Sequence, residues 1–239
     1  MLYLMLSLED ALTDIMPHRS PVNTGRPTTN PIARLADRED VITAIISSRE
    51  IPDIRKQIGI DNIFYAGCHG MQIEGPGWSY IHPLLNDYQA RFAALESELI
   101  EELGAFKGIE FTRNKAMLVV HCQNIAPRKY PGLLYTVKLL RSLYRPWAKI
   151  AGGDQLFKFI PDVDWDKGRA VEVLLRSYQN DSPFPIYIGD DASDEPAFVA
   201  LRDRGLTIHV GRSPRDYTTA ANLSMKSSRQ VLKFLSSLL

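Results

Sequence analysis

Cysteine is scarce in this sequence: Cys68 and Cys122 are the only two. They fit no metal-binding spacing and would make a thin disulfide framework, so they read as free thiols in a reducing cytoplasm. Net charge is missing as well, with 28 Lys and Arg against 28 Asp and Glu. Bulk charge therefore gives no support to a nucleic-acid or anionic-membrane partner. Long apolar runs are absent. The run Leu2 to Leu8 is too short for a membrane span and has no basic leader, which predicts neither a membrane anchor nor a secretion signal. No internal repeat or low-complexity tract stands out either. What the chain has in quantity is apolar residues, 45% of 239, enough to bury one large core or two modest ones.

Those apolar residues alternate between two periods. Leu2 to Leu8 reads as a fully buried strand. Pro17, Pro21, Pro27 and Pro31, with Asn23 and Gly25, mark a loop over 16–31. A short helix from about Ile32 to Ala36, a buried strand Val41–Ile46, an amphipathic helix Ile51–Ile58 and an extended Ile63–Ala66 follow. Strand alternating with helix is the signature of a parallel sheet with right-handed crossovers.

The rhythm changes at Pro83–Leu103, a long helix with the stripe Leu84, Tyr88, Phe92, Leu95, Leu99 and Leu103. Two extended runs (Gly108–Thr112, Met117–Cys122), a helix over Leu133–Tyr144 and two more extended runs (Lys149–Ala151, Leu156–Ile160) come next. That order predicts a separate α+β module. Alternation resumes with helix Lys167–Arg176, strand Phe184–Ile188, strand Leu206–Val210 and a closing helix over Ser228–Leu238. The expected fold is α/β: a Rossmann-like parallel-sheet core at 1–80 and 162–239, with an inserted α+β cap at 81–161.

Between the strand ending at Ile188 and the helix beginning near Ala197 lies Gly189-Asp190-Asp191-Ala192-Ser193-Asp194-Glu195. Carboxylates crowded at a strand-to-helix turn repel unless something positive offsets them, and a divalent, oxygen-seeking ion such as Mg²⁺ would do so. An acidic turn capping the next helix is the alternative.

The inserted-cap order, together with Ile45-Ile46-Ser47-Ser48-Arg49, Tyr65-Ala66-Gly67-Cys68-His69-Gly70, Val163-Asp164-Trp165-Asp166-Lys167-Gly168 and the acidic turn, resembles the haloacid dehalogenase superfamily. Within it, the trehalose-6-phosphate phosphatase family matches most closely. The resemblance implies a haloacid dehalogenase core with a cap and a phosphomonoesterase acting with Mg²⁺ on a sugar phosphate. It implies a phosphoryl-binding Ser47, a charge-neutralising Lys167 and a metal group of Asp190, Asp191 and Asp194. Arg49, His69 and Gly70 after the core strands, and Lys115, His121 and Lys158 in the cap, fall at substrate-facing positions.

The resemblance breaks at the first strand, where the family carries Asp-x-Asp-Gly-Thr-Leu and this chain carries Ser7-Leu8-Glu9-Asp10-Ala11-Leu12. Ser7 stands at the nucleophile position and Glu9 at the acid-base position. A serine cannot form the aspartyl phosphate, and its hydroxyl is a poor nucleophile without a base. Glu9 is one methylene longer than aspartate, and a misplacement of about 1 Å costs roughly 100-fold. In the cap, Arg113 and Lys158 replace carboxylates expected to face substrate. Lysine suits phosphates and other anions, whereas carboxylates suit sugar hydroxyls.

Simpler readings stand beside these. Ser47 would also serve as a helix cap, Asp166 and Lys167 as a charged first helical turn, and His121 as a half-buried strand histidine. His69, between small residues, is better placed for a site. Two functions follow from the resemblance. One is a protein impaired in hydrolysis that binds a sugar phosphate or regulates, beside a trehalose-6-phosphate synthase. The other is a working Mg²⁺-dependent phosphatase.

Overall fold

The computed structural model describes residues 1–8, 30–144, 147–153, 156–178, 183–211 and 218–239. In chain order these form β1 (Leu2–Ser7), α1 (Pro31–Ala36), β2 (Val41–Ile46), α2 (Ile51–Ile58), β3 (Phe64–Gly67), β4 (Gln72–Gly75) and β5 (Trp78–Ile81). Then come α3 (Leu85–Leu103), β6 (Glu110–Asn114), β7 (Met117–His121), α4 (Tyr130–Tyr144), β8 (Ala148–Gly153) and β9 (Leu156–Pro161). The chain continues through α5 (Lys167–Arg176), β10 (Phe184–Gly189), α6 (Glu195–Leu201), β11 (Leu206–Val210), β12 (Leu223–Met225) and α7 (Ser228–Ser237). It divides into two compact units, Met1–Ile81 with Trp165–Leu239, and His82–Asp164.

The first unit is a mixed α/β layer structure around an eight-stranded sheet ordered β12-β11-β10-β1-β2-β3-β4-β5. From β12 to β3 every pairing is parallel; β4 and β5 close that edge antiparallel. The central strand β1 is apolar from Leu2 to Leu6, up to its last residue Ser7, because it is covered on both faces. Leu4, Leu6 and Leu8 pack with Ile45, Ile188 and Val231 on one side. Tyr3 and Met5 pack with Ala44, Tyr187 and Phe198 on the other.

Local signals set the helix ends. The Asn30 side chain accepts from the Ile32 N–H at 3.0 Å with Pro31 following it, a pre-organised start for α1. Gly59 closes α2 in the left-handed conformation at φ 66°.

In the second unit, four antiparallel strands run β6-β7-β9-β8. The buried stripe of α3 is Leu85, Tyr88, Phe92, Leu95, Leu99 and Leu103. It differs from the expected stripe in its first member: Leu84 is the exposed residue just before the helix, and Leu85 takes the buried place. The β4–β5 hairpin and β12 have no counterpart in the sequence reading. Most of the proline-marked loop over 16–31 lies outside the described residues. Among the described residues no helix is long and apolar enough to cross a membrane.

Candidate functional site

β1, β2 and β10 are parallel neighbours in register, so their carboxyl ends emerge at one edge of the sheet. Ser7 is the last residue of β1, Ser47 follows β2, and Asp190 follows β10. That edge is where open α/β sheets bind ligands.

Lys167 reaches the same edge from the first position of α5, whose start is fixed by the Asp166 carboxylate accepting from the Arg169 N–H at 2.9 Å. The whole Lys167 side chain is buried. Its Nζ donates to Ser7 Oγ at 3.0 Å and to Asp194 Oδ1 at 2.8 Å, and lies 3.8 Å from Asp191 Oδ1. A buried ammonium is tolerable only with such partners. Lys167 is therefore more than part of a solvated helical turn.

Asp194 is the hub of this arrangement. Its Oδ1 accepts from Lys167 and also from the Tyr187 hydroxyl at 2.7 Å. Its Oδ2 accepts from the backbone N–H groups of Asp190 and Asp191 at 2.9 and 3.1 Å. A carboxylate offers about four acceptor sites, and all are filled by protein donors. Asp194, expected above among the metal ligands, thus has its oxygens engaged by Lys167, Tyr187 and two backbone N–H groups. Burial pushes its carboxyl up, but the Lys167 ammonium and the hydrogen bonds from Lys167 and Tyr187 outweigh this, leaving it below the usual value. The Tyr187 hydroxyl is pushed well above its usual value, first by burial and then by the Asp194 charge.

Asp191 is also engaged locally. Its Oδ1 accepts from Ser193 N and Oγ at 2.9 and 2.6 Å, and with Asp194 it forms a capping box on the single helical turn Ala192–Asp194. Much of the acidic turn is therefore explained by capping and by the Lys167 ion pair. Among the described residues no group of three or more His, Cys, Asp or Glu side chains is placed to hold a metal ion.

Ser47 is fully buried, and its Oγ accepts from the Arg49 N–H at 3.2 Å. The residue that precedes α2 as its N-cap is Glu50, so the helix-cap reading of Ser47 is corrected. The Arg49 guanidinium bonds to Gln57 Oε1 at 2.8 Å. His69 adopts φ 56°, directly after Cys68 at φ 53°, an uncommon backbone state for two successive non-glycine residues. It is held there by its N–H on Ser47 O at 2.8 Å and by Trp165 Nε1 donating to its carbonyl at 3.2 Å. Gly70, placed above at a substrate-facing position, also has a packing reason. At φ +83° a Cβ on it would stand 2.1 Å from Ala170 Cβ on α5.

In the second unit, His121 Nε2 bonds with Thr112 Oγ1 at 2.9 Å. Thr112 and Lys158 each pair with Val119, so Thr112, His121 and Lys158 share one face of the four-stranded sheet. Lys115 sits in the β6–β7 turn. Arg113 pairs with Leu118 on the opposite face and donates to Glu96 of α3 at 2.7 Å. Arg113, which replaces one of the carboxylates expected to face substrate, thus lies on the sheet face opposite Lys158. Glu9, the expected acid-base residue, lies outside the described residues.

Tyr187 and Trp165 were not foreseen as site residues. The signal for Tyr187 was a lone hydroxyl in the aliphatic strand Ile186-Tyr187-Ile188, two residues before the acidic turn. For Trp165 it was an indole two residues before Lys167.

The sequence profile of the family described as Trehalose-phosphatase matches residues 5–229. Trehalose-phosphate phosphatase B of Arabidopsis thaliana is 36% identical over 207 residues, covering 81% of this chain and 54% of that protein. The chain spans about half the length of the curated relatives it matches. A solved trehalose-6-phosphate phosphatase related protein superposes with a TM-score of 0.73 at 19% identity, covering 99% of this chain and 96% of that one. The C-terminal domain of the Candida albicans trehalose synthase regulatory protein superposes with a TM-score of 0.69 at 13% identity, covering 98% and 93%. At such identities the two structures speak for the fold alone.

Proposed function

The chain belongs to the trehalose-phosphatase family, and from that premise we propose that it binds a sugar phosphate at the carboxyl edge of its core sheet while its hydrolytic step is impaired. The observation that carries this is Ser7: a buried hydroxyl stands where β1 ends, and it accepts a hydrogen bond from the Lys167 ammonium. An ammonium already paired with the Asp194 carboxylate has no lone pair with which to take the Ser7 proton, so the hydroxyl is not activated. Lys167 and Ser47 remain suited to a phosphoryl group, one by charge and one by hydrogen bonding.

With Asp194 saturated, Asp190 and Asp191 are the carboxylates that would hold Mg²⁺. One or two carboxylates completed by water and phosphate is a set that this ion accepts, so the turn fits a weakly held Mg²⁺. Bound there, the ion would neutralise phosphoryl charge.

The form we propose is a regulatory subunit beside a trehalose-6-phosphate synthase, supported by the fold shared with a trehalose synthase regulatory protein. Two buried free thiols support a reducing cytoplasm as its compartment.

Phosphate release from trehalose 6-phosphate with Mg²⁺, for the native protein and Ser7→Asp, tests this. The expected result is native turnover below about 1 per second, the bottom of the usual enzyme range, with thermal stabilisation by the ligand retained. Faster native turnover, abolished by Asp190→Asn, would establish a working phosphatase instead.

A further inference from the structure

Three aromatic rings form a row that starts on the edge strand of the core sheet. Trp78 and Tyr80 are two residues apart on β5, so they share a face, and their rings stack at 6.4 Å and 9°. Tyr80 stacks in turn on Trp165 at 5.5 Å and 12°, inside the range of about 4.5–7 Å over which offset rings attract. Phe64 braces the inner end of the row, meeting Trp78 edge-on at 6.2 Å. The chain passes from the first unit to the second after Ile81 and returns at Trp165. The Tyr80–Trp165 pair therefore stands where the insertion begins and ends in sequence.

The Trp165 indole is engaged a second time, by its Nε1 donating to the His69 carbonyl at 3.2 Å. Among the described residues, Cys68 and His69 are the non-glycine residues with left-handed backbones, at φ 53° and 56°. Such a pair persists only where its surroundings fix it. Its two successive N–H groups grip the loop that carries Ser47: Cys68 donates to the Arg49 carbonyl and His69 to the Ser47 carbonyl, each at 2.8 Å. Within that loop the Arg49 N–H donates to Ser47 Oγ at 3.2 Å. On its other side, Trp165 is followed by Asp166, whose carboxylate caps α5, and by Lys167, the first residue of that helix. One side chain thus ties the start of α5 to the turn that grips the Ser47 loop.

We propose that Trp165 is a positioning residue of the carboxyl-edge site: its indole, steadied by Tyr80, fixes the Cys68–His69 turn and through it the placement of Ser47 relative to Lys167. The proposal rests on the reading of that edge as a phosphoryl-binding site. Trp165 acts there through Ser47 and not by touching the ligand.

Two measurements on the full chain test it. Hydrogen exchange of the Cys68 and His69 amides reads the turn with no ligand present. Trp165→Phe keeps a ring for Tyr80 but deletes the N–H, and should speed exchange of both amides about 10-fold or more. Tyr80→Leu, which removes the stacked ring, should also speed it, whereas Tyr80→Phe, which keeps the ring, should match the native protein. Titration calorimetry with trehalose 6-phosphate reads the consequence. Trp165→Phe should weaken binding about 10-fold, yet add no further loss to Ser47→Ala, because a residue acting through the Ser47 hydroxyl is silent once that hydroxyl is gone. A general loosening of the fold would lower affinity by the same factor in both backgrounds. That result, or amide exchange unchanged by Trp165→Phe, would overturn the proposal. Absence of binding by the native protein would instead sink the sugar-phosphate reading, and exchange at Cys68 and His69 would still decide whether Trp165 fixes the turn.

Discussion

The Lys167 ammonium and the Ser7 hydroxyl, 160 residues apart in sequence, meet at 3.0 Å in a site that neither shares with solvent. The same ammonium neutralises Asp194 at 2.8 Å, and the two contacts should differ in worth. Lys167→Met leaves a buried carboxylate with only neutral donors, and breaking a buried pair this way costs about 3–5 kcal/mol. Ser7→Ala removes one acceptor from a lysine that keeps its charge partner, at about 1 kcal/mol. Urea denaturation of the two variants checks the ordering. Equal losses would mean that Lys167 is not what holds Asp194 in place.

Acid should attack the protein through the same hub. The Asp194 carboxyl is lowered in the folded state from its ordinary 3.8. Its contribution is therefore complete above that value and is lost as pH falls through the lower folded value. Tyr187→Phe removes one of the hydrogen bonds that lower it and leaves the burial that raises it. The contribution should then be smaller, and its loss complete at a higher pH. Circular dichroism during acid titration should show the Tyr187→Phe midpoint displaced upward; an unmoved midpoint would show that this hydrogen bond carries no weight.

Two glycines with left-handed backbones offer a controlled comparison. Gly70 has φ +83° and a Cβ there would meet Ala170 Cβ at 2.1 Å, whereas Gly77 has φ +70° and nothing within 4 Å. Alanine at either position bears the left-handed penalty of about 1–2 kcal/mol. Only at Gly70 does overpacking add about 1–3 kcal/mol more. Gly70→Ala should therefore melt at a clearly lower temperature than Gly77→Ala. Similar melting temperatures would show that α5 yields at Ala170 without cost.

The core was legible where burial on two faces writes itself as a run that is apolar at nearly every position, as in Leu2–Ser7 and Val41–Ile46. It was illegible where a strand is four residues long, since Gln72–Gly75 and Trp78–Ile81 hold too few residues to establish a two-residue period. The face of Arg113 could not be read because a strand's register decides it, and one residue of slip reverses the face. The acidic turn was visible as a concentration of charge that needed a cation. The sequence did not show that part of that cation is Lys167, nor that two of the aspartates are engaged as caps. Charge can be counted along a chain, but pairing depends on which strand ends share an edge.

The remaining metal question turns on that pairing. β1 and β10 run in register with Leu6 opposite Ile188, so the next residues along, Ser7 and Gly189, place Ser7 beside the start of the acidic turn. Asp194 is saturated and Asp191 Oδ1 is occupied by Ser193, so the native turn should bind Mg²⁺ weakly. Ser7→Asp adds an anionic oxygen donor at the strand end. A unit charge about 4 Å away is worth about 4 kcal/mol at an effective dielectric of about 20. The neighbouring Lys167 ammonium will absorb part of that. A rise in Mg²⁺ affinity of about 10-fold remains a conservative expectation, since it needs only about 1.4 kcal/mol. Isothermal titration with Mg²⁺ alone measures it without any turnover. An affinity left unchanged by Ser7→Asp would mean that the strand end does not contribute to the ion site, and that the acidic turn is a cap and an ion pair only.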